Sequence, residues 1–251
     1  MKASKLLATL LIAALSVQAG PEVDRLLAEY AKIETATCKV RRTKEGAAGK
    51  IKFLSRIYWT NQNKIHSEKL APVKQRTIVD GHALYQYTEG SGNKGFSRPV
   101  EALSDQMKIA LKHVPGTSMD HLLRLQGMEE TALDPGEQGE RRVGIQTDPK
   151  YVVLLFDGTN RLTGIRFYKS KDRQELLADY TYTDFSEVVP GAWIPLTQAI
   201  EVHGDGLDFS ETVKVDSFTA NEPIAESLFI PDNFFDKDID FVDDFAKIFP
   251  D

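Results

Sequence analysis

GKIKFLSRIYWTNQNKIHSEKLAPVKQRTIVDGHALYQYTEGSGNKGFSRP, Gly49–Pro99, decides the fold of this chain. Ile51, Phe53, Ile57 and Trp59 are apolar at odd positions, while Lys50, Lys52 and Arg56 occupy even ones. A period of two describes a strand with one dry face and one wet face. Asp80-Gly81 stands between Thr77-Ile78-Val79 and Leu84-Tyr85-Gln86-Tyr87. Asp-Gly adopts positive φ readily, so the spacing predicts a tight antiparallel hairpin with Asp80-Gly81 as a two-residue turn. Gly90-Ser91-Gly92-Asn93 marks a second turn, and Pro99 ends the run. No segment here is long enough to cross over to a parallel partner.

Outward from this stretch the pattern changes twice. Toward the N-terminus, Ala36–Thr43 reads as a strand, with Gly46–Gly49 as its turn. Before it, Val23, Leu26, Leu27 and Tyr30 follow helical spacing behind Pro21 and Glu22. Toward the C-terminus comes a helical insert. Val100, Leu103, Met107, Ala110, Leu111 and Val114 form one stripe, Pro115-Gly116 breaks it, and Ser118 stands where it would cap a helix carrying Met119, Leu122, Leu123 and Leu125. His113 and His121 fall at this corner.

From Gly127 onward, seven strands are predicted: Met128–Leu133, Glu140–Thr147, Tyr151–Phe156, Leu162–Lys169, Leu176–Ser186, Trp193–His203 and Asp208–Thr219. Turn signals such as Asp134-Pro135-Gly136, Asp157-Gly158 and Pro190-Gly191 join them into a meander. Tyr151–Phe156 is apolar on both faces and is expected under cover. In the acidic tail, Ile239, Val242, Phe245 and Phe249 are spaced as one face of a terminal helix.

The chain has 251 residues and a formal net charge of −6. Residues 1–19 read as a signal peptide: Lys2 and Lys5 precede the apolar run Leu6–Leu15, which is too short to span a bilayer, and Val17-Gln18-Ala19 suits cleavage after Ala19. Loss of Lys2 and Lys5 takes the net charge to −8. Gly20, not a Cys, stands directly after the cleavage site, so a soluble, unlipidated periplasmic product starting at Gly20 is expected. No basic block points to nucleic acid. Cys38 is the single cysteine, which leaves no internal disulfide, and it reads as a small core residue.

Catalytic and metal signatures are missing from the sequence. Five histidines (His66, His82, His113, His121, His203) are scattered without metal-binding spacing, with His66 and His82 on expected strand surfaces. Asp236, Asp238 and Asp240 imitate the start of a calcium loop, but Phe241 and Lys247 stand where it needs Gly and Glu. No catalytic residue, cofactor or metal site is therefore assigned, and the protein is expected not to be an enzyme. The aromatic and aliphatic residues of the sheet are the remaining signal. A coiled antiparallel sheet covered in part by helices can enclose an apolar ligand.

Several short motifs, in this order and spacing, resemble the LolA-like superfamily of periplasmic lipoprotein-sorting proteins. They are Gly49-x-Ile51-x-Phe53, Asn63-Lys64-Ile65-His66-x-Glu68 and Val79-Asp80-Gly81-His82-x-Leu84-Tyr85-x-Tyr87. Val189-Pro190-Gly191-x-Trp193-Ile194-Pro195, Asn221-x-Pro223-Ile224 and Ser227-Leu228-Phe229-Ile230-Pro231 continue the likeness. The resemblance implies an α+β fold: an incomplete antiparallel β-barrel (a half-barrel) with a helical lid over residues 20–235, followed by an acidic tail at 236–251.

It also implies a monomeric carrier of lipid or lipoprotein acyl chains, served by an inner-membrane donor complex and an outer-membrane acceptor. Ile51, Phe53, Ile57, Trp59, Tyr85 and Tyr87 would then line the apolar cavity, and Leu103, Met107, Leu111 and Leu122 would form the lid. Dedicated carriers place an Arg-Pro before the Asn matching Asn63, and that Arg ties the lid shut; here the pair is Asn61-Gln62. An envelope-stress sensor or scaffold that binds a protein partner on the same sheet is the alternative.

Overall fold

The computed structural model describes residues 22–248 except 48, 138 and 205–207. The proposed signal peptide and Gly20 lie outside the described residues, as does Phe249. Among the described residues the chain forms one open sheet of 14 strands and three α-helices.

The strands are β1 (Thr35–Gly46), β2 (Gly49–Thr60), β3 (Lys64–Ala71), β4 (Gln75–Asp80), β5 (Ala83–Thr88), β6 (Lys94–Pro99), β7 (Glu130–Leu133), β8 (Arg141–Gln146), β9 (Tyr151–Phe156), β10 (Leu162–Tyr168), β11 (Leu176–Val189), β12 (Ala192–Val202), β13 (Phe209–Ala220) and β14 (Asp240–Val242). Their order across the sheet is β14-β6-β5-β4-β3-β2-β1-β13-β12-β11-β10-β9-β8-β7. Two meanders therefore meet where β1 pairs with β13, and neither outer edge closes on the other. Every pairing is antiparallel except β14 on β6. The predicted architecture, an unclosed antiparallel barrel with helices, is the one observed.

Turn chemistry fixes the registers. Thr60 pairs with Lys64 across Asn61-Gln62-Asn63, and Asn63 takes φ +59°. Asn tolerates this left-handed conformation, which explains an Asn at this point of the motif. The β4–β5 connection is Gly81-His82, one residue later than the Asp80-Gly81 expected. Asp80 stays in the strand, and its carboxylate accepts from the amides of His82 and Ala83, both at 2.8 Å. Gly81 carries φ +98°. Gly81→Val is expected to cost about 1–3 kcal/mol through backbone strain, read as a lower urea midpoint; an unchanged midpoint would place the strain elsewhere.

The helices are α1 (Glu22–Tyr30), α2 (Asp105–Lys112) and α3 (Met119–Leu125). Val23, Leu26, Leu27 and Tyr30 are the buried face of α1, as their spacing predicts. Two carboxylate oxygens of Glu130 accept from the amides of Glu22 and Val23, closing the α1 N-terminus. Ser104 caps α2 through the Met107 amide. At α3 the expected cap is displaced by one residue: the Thr117 hydroxyl, not that of Ser118, accepts from the Met119 amide.

One large core joins α1 and α3 to β8–β12, and Leu122 and Leu154 lie at its centre. All six residues of β9 are buried, one face in this core and the other against Leu133 and Tyr168. A second cluster packs Leu103 and Leu111 on Val79, Leu84 and Phe96. Cys38 lies in a third cluster with Val40, Val213 and Val215, and burial pushes its thiol up to about 12.

The tail differs from the helix expected. Asp240–Val242 adds a parallel strand to the β6 edge, and a single 3₁₀ turn follows at Phe245–Lys247. Gly95 makes this possible, since a Cβ there would lie 2.6 Å from Phe241 Cε1. The segment leading to β14 crosses the convex face. Phe234 stands edge-on to His66 with ring centroids 4.4 Å apart, and Phe241 does the same to Tyr85 at 5.5 Å. His66 is thus buried, contrary to its expected place on a strand surface.

Candidate functional site

A cavity of about 550 Å³ lies between the concave sheet face and the α2–α3 corner. Alternation along β2 builds its floor, since Ser55, Ile57 and Trp59 all point into it. Register carries the same face to Ile65 and Ser67 on β3, and to Val40 and Arg42 on β1. Tyr180 and Tyr182 of β11, Gln198 and Ile200 of β12, and Phe209, Glu211 and Val213 of β13 complete the wall. His113, Pro115–Ser118, Asp120 and His121 form the roof.

Hydrogen bonds hold the roof to the sheet. The Trp59 indole N–H donates to the Leu111 carbonyl at 2.9 Å, at the C-terminal end of α2. The Gln198 amide donates to the Gly116 carbonyl at 2.8 Å. Ser118 reaches the phenols of Tyr182 on β11 and of Tyr30 on α1. Burial pushes the Tyr30 phenol up to about 12 and that of Tyr182 well above its ordinary value, so both stay protonated.

The cavity is amphipathic. Its apolar wall runs through Ile57, Trp59, Ile65, Ile200 and Val213. Its polar side carries an ion pair between Arg42 Nε and Glu211 Oε1 at 2.5 Å. His113 Nδ1 accepts from the Asp120 amide at 3.2 Å, which fixes that ring with its other nitrogen protonated. His121 packs edge-on to Tyr180, with centroids 4.6 Å apart. Burial lowers both imidazoles below 6.5, against the weaker opposing pull of Asp120. Burial lowers His66 as well.

These three shifts have one sign. A lowered folded-state pKa means that the unfolded chain binds more protons below about pH 6.5. The stabilising contribution is complete above that pH and is lost as pH falls through the lowered folded-state values. The urea midpoint is expected to drop between pH 7.5 and 5.5, and the drop should shrink in His113→Gln, His121→Gln or His66→Gln. A midpoint constant over this range would contradict the neutral burial of these rings.

The structure separates the residues singled out in the sequence. Ile57 and Trp59 line the cavity. Phe53 and Ile51 continue the same face of β2 toward the β1–β2 hairpin tip, beyond the roof. Tyr85 and Tyr87 lie on the opposite, convex face: Tyr85 pairs with Ile78, which pairs with His66, and Val79 and Leu84 take the concave positions. The Tyr87 hydroxyl donates to the Gly92 carbonyl.

Leu103 and Leu111 anchor the lid to the second cluster, Met107 packs at its margin, and Leu122 sits in the main core. The roof itself is made by the corner between α2 and α3. Arg42, Glu211 and Tyr180 belong to the site although no sequence pattern marked them. Each occupies an inward position of a long strand, and that alternation is the signal that could have found them.

The sequence matches no protein-family profile and no curated protein. Solved structures do match. A domain from Vibrio parahaemolyticus described as an outer membrane lipoprotein-sorting protein superposes with TM-score 0.54 at 11% identity, covering 82% of this chain and 95% of that one. A LolA superfamily protein from Nitrosomonas europaea gives 0.53 at 12% identity, covering 83% and 97%. A DUF1329 family protein from Desulfovibrio piger gives 0.53 at 11% identity, covering 83% and 95%. The long open sheet, the helices over its concave side and these superpositions together identify the fold as LolA-like.

Proposed function

We propose that this protein is a periplasmic carrier that holds lipoprotein acyl chains, or the chains of a similar lipid, in the cavity beneath the α2–α3 corner. The cavity itself carries the reading. A scaffold that used the sheet only to bind a protein would fill this space with side chains, whereas here about 550 Å³ remains between the sheet and the helices. That volume lies within the ordinary range for small-molecule sites, roughly 300–1,000 Å³. Each methylene moved from water onto the Ile57–Ile200 wall contributes about 0.8 kcal/mol. A polar head would sit toward Arg42 and Glu211, where water reaches. The role is binding rather than catalysis. An inner-membrane donor and an outer-membrane acceptor would deliver and receive the cargo, and the leader at residues 1–19 would bring the protein to the periplasm.

The test is titration with a fluorescent fatty-acid probe, beside native mass spectrometry of protein purified from the periplasm. Wild type is expected to bind the probe and to carry lipid. Ser55 lies mid-floor opposite Val40. Ser55→Trp would fill the cavity and lower probe affinity about tenfold or more, with the circular dichroism spectrum retained. Wild type that binds no probe and co-purifies with no lipid would defeat this reading.

A further inference from the structure

Exposure along the concave face of β2 rises steadily toward the hairpin tip. Trp59 is 2% exposed, Ile57 and Phe53 are half-buried, and Ile51 is 41% exposed. The cavity therefore opens at the end of the sheet where β1 meets β2. At the same end Leu70 is 42% and Val73 44% exposed. Leu70 is the extra residue of a bulge, since Leu54 pairs with Ala71 and Ser55 with Lys69. Val73 follows in the β3–β4 turn. Large apolar side chains thus stand in water at two neighbouring strand connections beside the mouth.

Lysines surround them. Lys69 Nζ lies 4.7 Å from the Phe53 ring centroid, and Lys44 Nζ 3.8 Å from that of Phe209, a cavity residue. Lys52 stands beside Ile51. Lys50 and Lys74 are here too, paired with Glu45 at 3.0 Å and Glu89 at 3.7 Å. Among the described residues Lys44, Lys52 and Lys69 have no carboxylate partner in an ion pair. A chain of net charge −6 thus carries a local positive excess at the mouth of its cavity.

We infer that this end docks on an anionic phospholipid bilayer. Ile51, Leu70 and Val73 would enter the headgroup boundary, and the lysines would reach phosphates with their stems against the apolar layer. The inference rests on the carrier reading and deepens it: an acyl chain could pass between bilayer and cavity without crossing water. Each lysine near an anionic surface strengthens binding about fivefold, and the attraction weakens with salt.

The experiment is co-sedimentation with phosphatidylglycerol-containing vesicles and with vesicles of phosphatidylcholine alone, run beside titration with the soluble fatty-acid probe. Wild type should bind the anionic vesicles, release them in high salt, and ignore phosphatidylcholine. The triple variant Lys44→Gln/Lys52→Gln/Lys69→Gln should bind them about a hundredfold more weakly. Ile51→Ser/Leu70→Ser/Val73→Ser should also lose vesicle binding, and both variants should keep their circular dichroism spectra and probe affinity. Wild type that binds the probe but no anionic vesicle would overturn the docking surface and leave the carrier reading standing. Variants that bind vesicles as wild type does would overturn it equally, as would variants that lose probe and vesicles together, since these residues would then belong to the cavity. Wild type that binds vesicles but no probe would instead defeat the carrier reading and keep the surface.

Discussion

Trp59→Ala is expected to lower stability by about 3–5 kcal/mol, the range for deleting a buried aromatic side chain. Trp59 is buried in the main core, where β2 meets the helices, and it is also a wall of the cavity. Trp59→Phe separates its two roles. Phe keeps most of the ring but removes the N–H donor, so the Leu111 carbonyl loses a partner in a buried place, at a cost of about 1–3 kcal/mol. Leu111 lies in the last turn of α2, so this loss falls on the lid. Probe release is therefore expected to quicken in Trp59→Phe, measured by stopped-flow fluorescence. Release at the wild-type rate would mean that Trp59 does not tie the lid, whatever the stability change.

The tie stands two residues before the place where the resemblance would put it. The resemblance implies an Arg before the Asn that matches Asn63, whereas this chain has Asn61-Gln62 there. Trp59 precedes the same turn, and alternation turns its ring onto the concave face. Both arrangements would fasten a helix to the end of β2, with an indole here in place of a guanidinium. A neutral donor holds its bond without a counter-charge and with less sensitivity to salt.

Local order was legible in the sequence because turn residues and period-two strands report on it directly. The β9 run Tyr151–Phe156 was read with the bounds it has in the structure, because six apolar residues between two Asp-containing turns admit little else. The face assignment of β5 was not legible. Ile78 and Val79 are both apolar, as are Leu84 and Tyr85, so alternation could not say which pair faces the helices. The answer comes from the C-terminal segment, whose Phe241 covers Tyr85 from more than a hundred residues away in sequence.

The fold of the tail was not legible for a related reason. Ile239 and Val242 fit a helical spacing, but the unpaired β6 edge offers hydrogen bonds to an extended chain, and Gly95 leaves room for the ring that arrives. The polar side of the cavity was not legible, because Arg42, Glu211 and Asp120 carry no local pattern that separates them from surface charges. Pairing brings the first two together across strands distant in sequence.

Leu103→Glu is expected to have the larger effect of two lid substitutions, and Met107→Glu the smaller. Leu103 is 3% exposed in the cluster with Val79, Leu84 and Phe96, whereas Met107 lies at the margin of that cluster, half-buried. A carboxylate kept at position 103 would cost several kcal/mol, more than a docked lid can sustain. Undocking α2 moves that charge into water and leaves the sheet its own hydrogen bonds and the main core, to which α2 contributes none of its buried residues. Leu103→Glu should therefore keep its β-sheet circular dichroism and lose probe affinity at least about tenfold, through faster release. Met107→Glu can turn its carboxylate outward without undocking, and its affinity should fall by less. Amide exchange supplies the second readout: protection should vanish across Asp105–Lys112 in Leu103→Glu while β9 stays protected. Loss of protection in β9 as well would show that the lid and the sheet unfold as one unit. That outcome would exclude a lid that opens on its own, and with it a cavity filled by lid opening.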